Sequence, residues 1–234
     1  MEIMTRLLFV FFISVVHLNM MAQNPLAITG QVKCQGDGVA NVVVTNGFDC
    51  VLTDASGKYT IPYHRDARFV YVTTPAGYLP QRDGSLPLFY QHIIEGTFIY
   101  DFSLVKNQRN DDRHLFLVQA DVQLGKGEDV AAYAEYLKDM REFINRHSEY
   151  DLFVLDCGDI VGNALSLFPS YKQTSDVLDV PMYRVIGNHD MEYGVRSYEH
   201  SYKTYEECFG PIYYSFNRGK AHYIVLDNCY YINR

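Results

Sequence analysis

Residues 151–159 read DLFVLDCGD, an apolar run that ends abruptly in Asp156-Cys157-Gly158-Asp159. A stretch this apolar, without alternation, is the pattern of a strand covered on both faces, as in a parallel sheet with helices packed on it. Two other stretches repeat the layout. LFLVQAD (115–121) leads into Asp121-Val122-Gln123, and VPMYRVIGNHD (180–190) ends in Gly187-Asn188-His189-Asp190. Between the first two, Glu128–His147 carries Val130, Ala134, Leu137, Met140 or Arg141, and Ile144 on one helical stripe. Residues 169–179, with Pro169 near their start, and Tyr198–Phe209, stopped by Gly210-Pro211, predict further helices. Strand–helix–strand–helix–strand means a mainly parallel sheet with helices on its faces. YYSFNRG and AHYIVLDN add a hairpin around Arg218-Gly219.

In such a sheet the carboxyl ends of the strands share one edge, where ligands bind. Asp121, Gln123, Asp159, Asn188, His189 and Asp190 should therefore converge. A single Asp or Asn after a strand is usually a turn former or a helix cap. Three such ends in register are a stronger signal. Acidic groups held together repel unless a cation sits between them. Carboxylate, amide oxygen and imidazole are ligands for Mn, Fe or Zn. Gly158 and Gly187 allow the sharp turns that free the side chains after them.

These blocks resemble the first three of the calcineurin-like metallophosphoesterase family: D-x-H, then G-D-x-x, then G-N-H-D/E. The resemblance covers roughly 114–228. It implies a metal-dependent hydrolase of phosphate mono- or diesters with two divalent ions, Mn, Fe or Zn. Asp121 and Gln123 would ligate the first ion, Asp159 would bridge both and Asn188 would hold the second. His189 would face the phosphate and protonate the leaving group, Asp190 would orient His189, and metal-bound hydroxide would attack phosphorus in line. Gln123 stands where the family usually has His, and amide oxygen is a harder, weaker ligand than imidazole. The family's further isolated His and G-H-x-H block do not follow Asp190. The α/β domain, 114–234, therefore reads as the N-terminal part of a metallophosphoesterase domain, an incomplete one, and the fragment itself is expected to be inactive. The alternative is a non-catalytic protein that binds a surface or polymer, with a degenerate phosphoesterase domain.

Residues 23–105 read as an all-β sandwich module. ITGQVKC, VANVVVTNG, CVLTD, KYTIPY, RFVYVTTP and HIIEGTFIYDFSLV are short strands separated by Gly-, Asn- and Asp-containing turns. The Pro- and Gly-rich stretch 75–92 predicts an irregular loop, and KNQRNDDR (106–113) a linker. The module resembles the N-terminal β module of some bacterial family members, chiefly in GVANVVVTNG and TDASGKYTI.

Residues 1–22 have the three parts of a secretory signal. Arg6 precedes the ten-residue run LLFVFFISVV, which is too short to span a membrane, and Met20-Met21-Ala22 follows. The reading is export to the periplasm or the extracellular space. The first cysteine is Cys34, so nothing supports a lipid anchor at the cleavage point. The 234 residues carry 21% charged and 48% hydrophobic side chains, ordinary globular usage. A formal charge of −8 excludes nucleic-acid binding by bulk electrostatics. Of five cysteines, Cys34 and Cys50 are either a pair or two buried thiols, and Cys157 reads as a buried thiol. His200 reads as solvent-facing rather than as a ligand.

Overall fold

The computed structural model describes residues 26–229. The leader expected over 1–22 lies outside the described residues. Ten strands precede residue 107: β1 (Ala27–Cys34), β2 (Asp37–Gly38), β3 (Val43–Thr45), β4 (Cys50–Leu52), β5 (Lys58–Pro62), β6 (Phe69–Thr73), β7 (Tyr78–Asp83), β8 (Leu86–Leu88), β9 (Tyr90–His92) and β10 (Phe102–Lys106). One sheet runs β2-β1-β10-β7-β8, with β5 also paired to β1, and the other runs β4-β3-β6-β9. Alternation decides the facing. In β5, Tyr59 and Ile61 point inward while Lys58, Thr60 and Pro62 point out. Ile28, Val32, Val44, Val72 and Phe102 from both sheets meet them in one core. This is an all-β sandwich.

The stretch 75–92 is not an irregular loop: it supplies β7, β8 and β9. Its prolines are tolerated because of where pairing switches. Residues 78–80 of β7 pair only with β10 and residues 81–83 only with β8, so Pro80 owes no N–H to a second neighbour. Pro87 lies on β8, at the sheet's edge.

The second half is α/β. Its elements are β11 (His114–Gln119), α1 (Gly127–Arg146), β12 (Asp151–Asp156), α2 (Phe168–Ser175), β13 (Met182–Arg184), α3 (Tyr198–Ser201), α4 (Lys203–Phe209), β14 (Tyr214–Arg218) and β15 (Ala221–Val225). β11, β12 and β13 form a parallel sheet with β12 in the middle, and β14 and β15 form an antiparallel hairpin. α1 buries Tyr133, Leu137, Met140 and Ile144, with Val130 packed against the same core, so Tyr133 takes the place expected of Ala134. β12 is covered on both faces, whereas β11 is the sheet's edge and leaves Phe116 and Val118 exposed. The expected helix over 198–209 breaks at Tyr202 into α3 and α4.

Residues 107–113 carry neither strand nor helix, yet Asp111 is buried and its carboxylate accepts the Gly77 N–H at 2.6 Å. The hairpin packs between sandwich and sheet. Phe216 stacks on Tyr183 at 3.8 Å and on Tyr223 at 5.0 Å, and the Asn217 N–H donates to Thr74 O at 2.9 Å. Beneath these rings Arg218 is fully buried, with Nε 3.2 Å from Asp151 Oδ2. All five cysteines are free thiols, so Cys34 and Cys50 do not pair, and Cys50 is exposed rather than buried. Among the described residues no helix is long and apolar enough to cross a membrane.

Candidate metal centre

The loops after β11 and β12 run side by side, joined by backbone hydrogen bonds. Asp121 N–H donates to Gly158 O at 3.0 Å, Gln123 N–H to Asp159 O at 2.9 Å and Leu124 N–H to Ile160 O at 3.1 Å. Asp121, Gln123 and Asp159 all have left-handed backbones, with φ of 54°, 48° and 51°. Each such residue without glycine's freedom costs about 1–2 kcal/mol, and the paired loops supply the bonds that hold them there. The loop after β13 closes on the same place. A Cβ on Gly187 would lie 2.1 Å from both the N and the Oδ1 of Asp159, so only glycine lets the two loops approach this closely.

Three of the four expected ligands surround one point. Gln123 Nε2 donates to Asp121 Oδ1 and to Asp159 Oδ2, each at 3.4 Å. Asp159 Oδ1 accepts the His189 N–H at 3.0 Å, tying the third loop to the second. The Asn188 side chain is exposed at this edge and makes no hydrogen bond to the other three.

Asp190 does not orient His189. Its carboxylate is fully buried and accepts the Val161 N–H at 3.0 Å through Oδ1 and the Gly187 N–H at 2.8 Å through Oδ2. Burial pushes this carboxyl up to about 7. Asp190 staples the Gly187-Asn188-His189 turn to the neighbouring loop. The group on the His189 ring is Asn163, whose Oδ1 lies 2.9 Å from Nδ1. Asn163 escaped the sequence reading. Its only mark was a polar residue closing the Gly158–Gly162 segment, and it too is left-handed, with φ of 67°.

The chain also returns to this edge after β15. Cys229 Sγ donates to Ile186 O at 3.6 Å, and burial, with Asp227, Asp159 and Asp190 nearby, pushes its thiol up to about 11. Under the site, Asp156 accepts hydrogen bonds from Gln119 Nε2 at 2.6 Å and from the Tyr171 hydroxyl, and burial raises its carboxyl. Cys157 is exposed rather than buried. Partial desolvation beside Asp156 raises its thiol, which disfavours a nucleophilic thiolate. The His200 Nδ1 meets Ser197 Oγ at 2.8 Å, away from these donors.

Among the described residues, no three His, Cys, Asp or Glu side chains are grouped to hold a metal ion. Two carboxylates and the Gln123 amide do face one another, and the Gln123 NH₂ stands between two anionic oxygens, where a cation would stand. Turning that amide over brings its oxygen to the same place. The set therefore fits an oxygen-ligated divalent ion.

The family model for the N terminal of Calcineurin-like phosphoesterase matches residues 26–107, and that for Calcineurin-like phosphoesterase matches residues 114–232. No curated protein matches the chain. A solved structure that resembles it is a purple acid phosphatase from yellow lupin (Lupinus luteus) seeds, at 12% identity and a TM-score of 0.35, covering 79% of this chain. The chain spans 39% of that structure's chain, and at such a TM-score the likeness adds nothing to the assignment. With more than half of its length matched by the phosphoesterase-domain model, the chain belongs to the calcineurin-like phosphoesterase family.

Proposed function

We propose that the chain is built to hydrolyse phosphate mono- or diesters with the help of two divalent ions held by Asp121, Gln123, Asp159 and Asn188. The observation that carries the reading is the meeting of the Asp121 and Asp159 carboxylates around the Gln123 amide, each 3.4 Å from it. Divalent ions there would supply Lewis acidity and lower the pKa of a bound water. The chain's own residues do the rest. Asp159 lies between Gln123 and the His189 backbone, so it is the residue placed to bridge two ions. Asn163 holds the His189 ring through Nδ1, which leaves Nε2 free to hand a proton to the leaving oxygen. Gln123 in place of imidazole weakens affinity for Zn or Fe and favours Mn. We further propose that the leader over residues 1–22 exports the protein. N-terminal sequencing of material from the native host tests this, and an intact Met1 on cytosolic protein refutes it.

The catalytic reading is tested on a form of the protein that carries the family's later histidine blocks, by metal analysis together with turnover of p-nitrophenyl phosphate and bis-p-nitrophenyl phosphate. Asp159→Asn should cost both metal and rate. His189→Ala should keep the metal and lose ~10²–10⁴ in rate, the worth of a general acid. Loss of metal in His189→Ala would show that the role assigned to His189 is wrong. A second reading, a non-catalytic binding protein, is favoured by the small number of anionic donors in the site. A form of the protein that carries the family's later histidine blocks and still takes up no Mn²⁺ and turns over neither ester decides for it.

A further inference from the structure

A cleft of about 640 Å³ lies between the sandwich and the α/β part, and neither Asp121, Asp159 nor Asn188 lines it. It is lined by Phe69, Tyr71, Ile212 and an ion pair, exposed Arg68 Nε to buried Glu206 Oε2 at 2.7 Å. Each module supplies one rim. On the sandwich side the Asn46 carboxamide folds the loop, accepting the N–H groups of Phe48 at 3.0 Å and Asp49 at 2.8 Å. That turn throws the Phe48 ring outward, where it stacks on His64 at 3.7 Å and is still 55% exposed. On the other side stands Tyr213, 42% exposed. Two large aromatic rings, one from each module, thus stand exposed over the same cleft.

The charges of the lining select the ligand. Arg65, Arg68 and Lys203 are balanced by Asp66, Glu199 and Glu206. Arg68 is paired to Glu206, and Arg65 Nε lies 3.6 Å from Asp66 Oδ2. The formal charges of the lining cancel, so no net field of one sign favours a phosphate or an ammonium group over a neutral ligand. Open ring faces attract the weakly positive C–H faces of a ring of the ligand, and balanced donors and acceptors suit hydroxyl groups.

We propose that this cleft binds a neutral saccharide, with sugar rings against Phe48 and Tyr213 and hydroxyls on the charged side chains between them. The volume lies within the range of small-molecule sites and admits about two or three sugar rings. The inference does not depend on the metal centre.

The test is binding of the full chain to an array of neutral oligosaccharides, followed by saturation-transfer NMR titration of whichever is retained. AMP and inorganic phosphate serve as charged comparison probes. The expected result is saturable binding in the high-micromolar to millimolar range, weakened at least tenfold by Phe48→Ala and by Tyr213→Ala. Both side chains are exposed, so neither change should move the melting temperature by more than about 2 °C. Should one of them unfold the chain, the other still decides. The proposal is overturned if no saccharide is retained, if AMP or phosphate displaces the saccharide, or if both variants bind as the wild type does.

Discussion

Gly187→Ala tests the architecture of the site with a single methyl group. The backbone at Gly187 has φ of −106°, which alanine adopts freely, so any effect comes from space alone. The added Cβ would sit 2.1 Å from the Asp159 N and Oδ1 and 2.8 Å from its Cα. Real Cβ contacts of this kind stay beyond about 3 Å, so the two loops must part by roughly 0.9 Å. No flexible side-chain end can absorb this, because two of the three atoms are backbone. Overpacking of this kind costs about 1–3 kcal/mol. For a chain of this size that is a fall of about 2–12 °C in melting temperature. The same displacement moves Asp159 relative to Gln123 and Asp121, so Mn²⁺ affinity should fall at least tenfold. Gly162→Ala, in the neighbouring loop that carries Asp159, is the control: its Cβ would meet nothing nearer than Gln123 O at 3.5 Å, an ordinary contact. Differential scanning calorimetry and Mn²⁺ titration of wild type and both variants measure the effect. If Gly187→Ala melts and binds Mn²⁺ as the wild type does, the loops are not packed as described and the account of the site fails.

Asn163→Ala should lower turnover about tenfold while leaving Mn²⁺ content unchanged, since it frees the His189 ring without touching a metal donor; loss of metal would show a ligand role instead. Burial pushes the Glu206 carboxyl up to about 7 from an ordinary 4.5, with Arg68 opposing, so between those values the native state holds a proton that the unfolded chain has released. Stability should therefore fall as pH rises from about 4.5 to 7, by up to about 3 kcal/mol from this group, and Glu206→Gln should flatten the slope in urea unfolding series; an unchanged slope refutes the assignment. Arg218→Met leaves Asp151 buried without its partner and should cost about 3–5 kcal/mol, much of it recovered by adding Asp151→Asn. A double variant no more stable than the single one would mean that Arg218 acts through its three ring contacts, at 5.5–5.8 Å, rather than through Asp151.

The strand ends were legible because their signal is local and chemical. Apolar runs closed by Gly-Asp or Gly-Asn-His-Asp state both a buried strand and what stands at its end. β12 shows the reading at its best, covered on both faces as its composition implies. β11 has nearly the same composition, but its exposure depends on having no neighbour beyond it, which is a property of sheet order and not of the residues. The stretch 75–92 misled for the opposite reason. Pro and Gly read as punctuation, but a proline is harmless wherever one side of a strand is unpaired, and only the register of β7 shows that Pro80 stands at such a place.

The division of labour around His189 was illegible for a related reason. Asp190 is its neighbour in sequence, and adjacency invites the inference that the carboxylate steers the ring. Consecutive residues in a tight turn point in different directions, and here the turn buries Asp190 fully and leaves His189 half-buried. Once buried, the Asp190 carboxylate must be satisfied, and the N–H groups of Val161 and Gly187 are the donors at hand. The ring, left at the surface, meets whatever the facing loop presents, and that loop presents Asn163. Carboxylate and amide have thereby separated into a structural and a positioning part. Burial pushes the Asp190 carboxyl up against the backbone N–H groups that hold it, while the neutral Asn163 steers His189 without placing a fixed negative charge beside it.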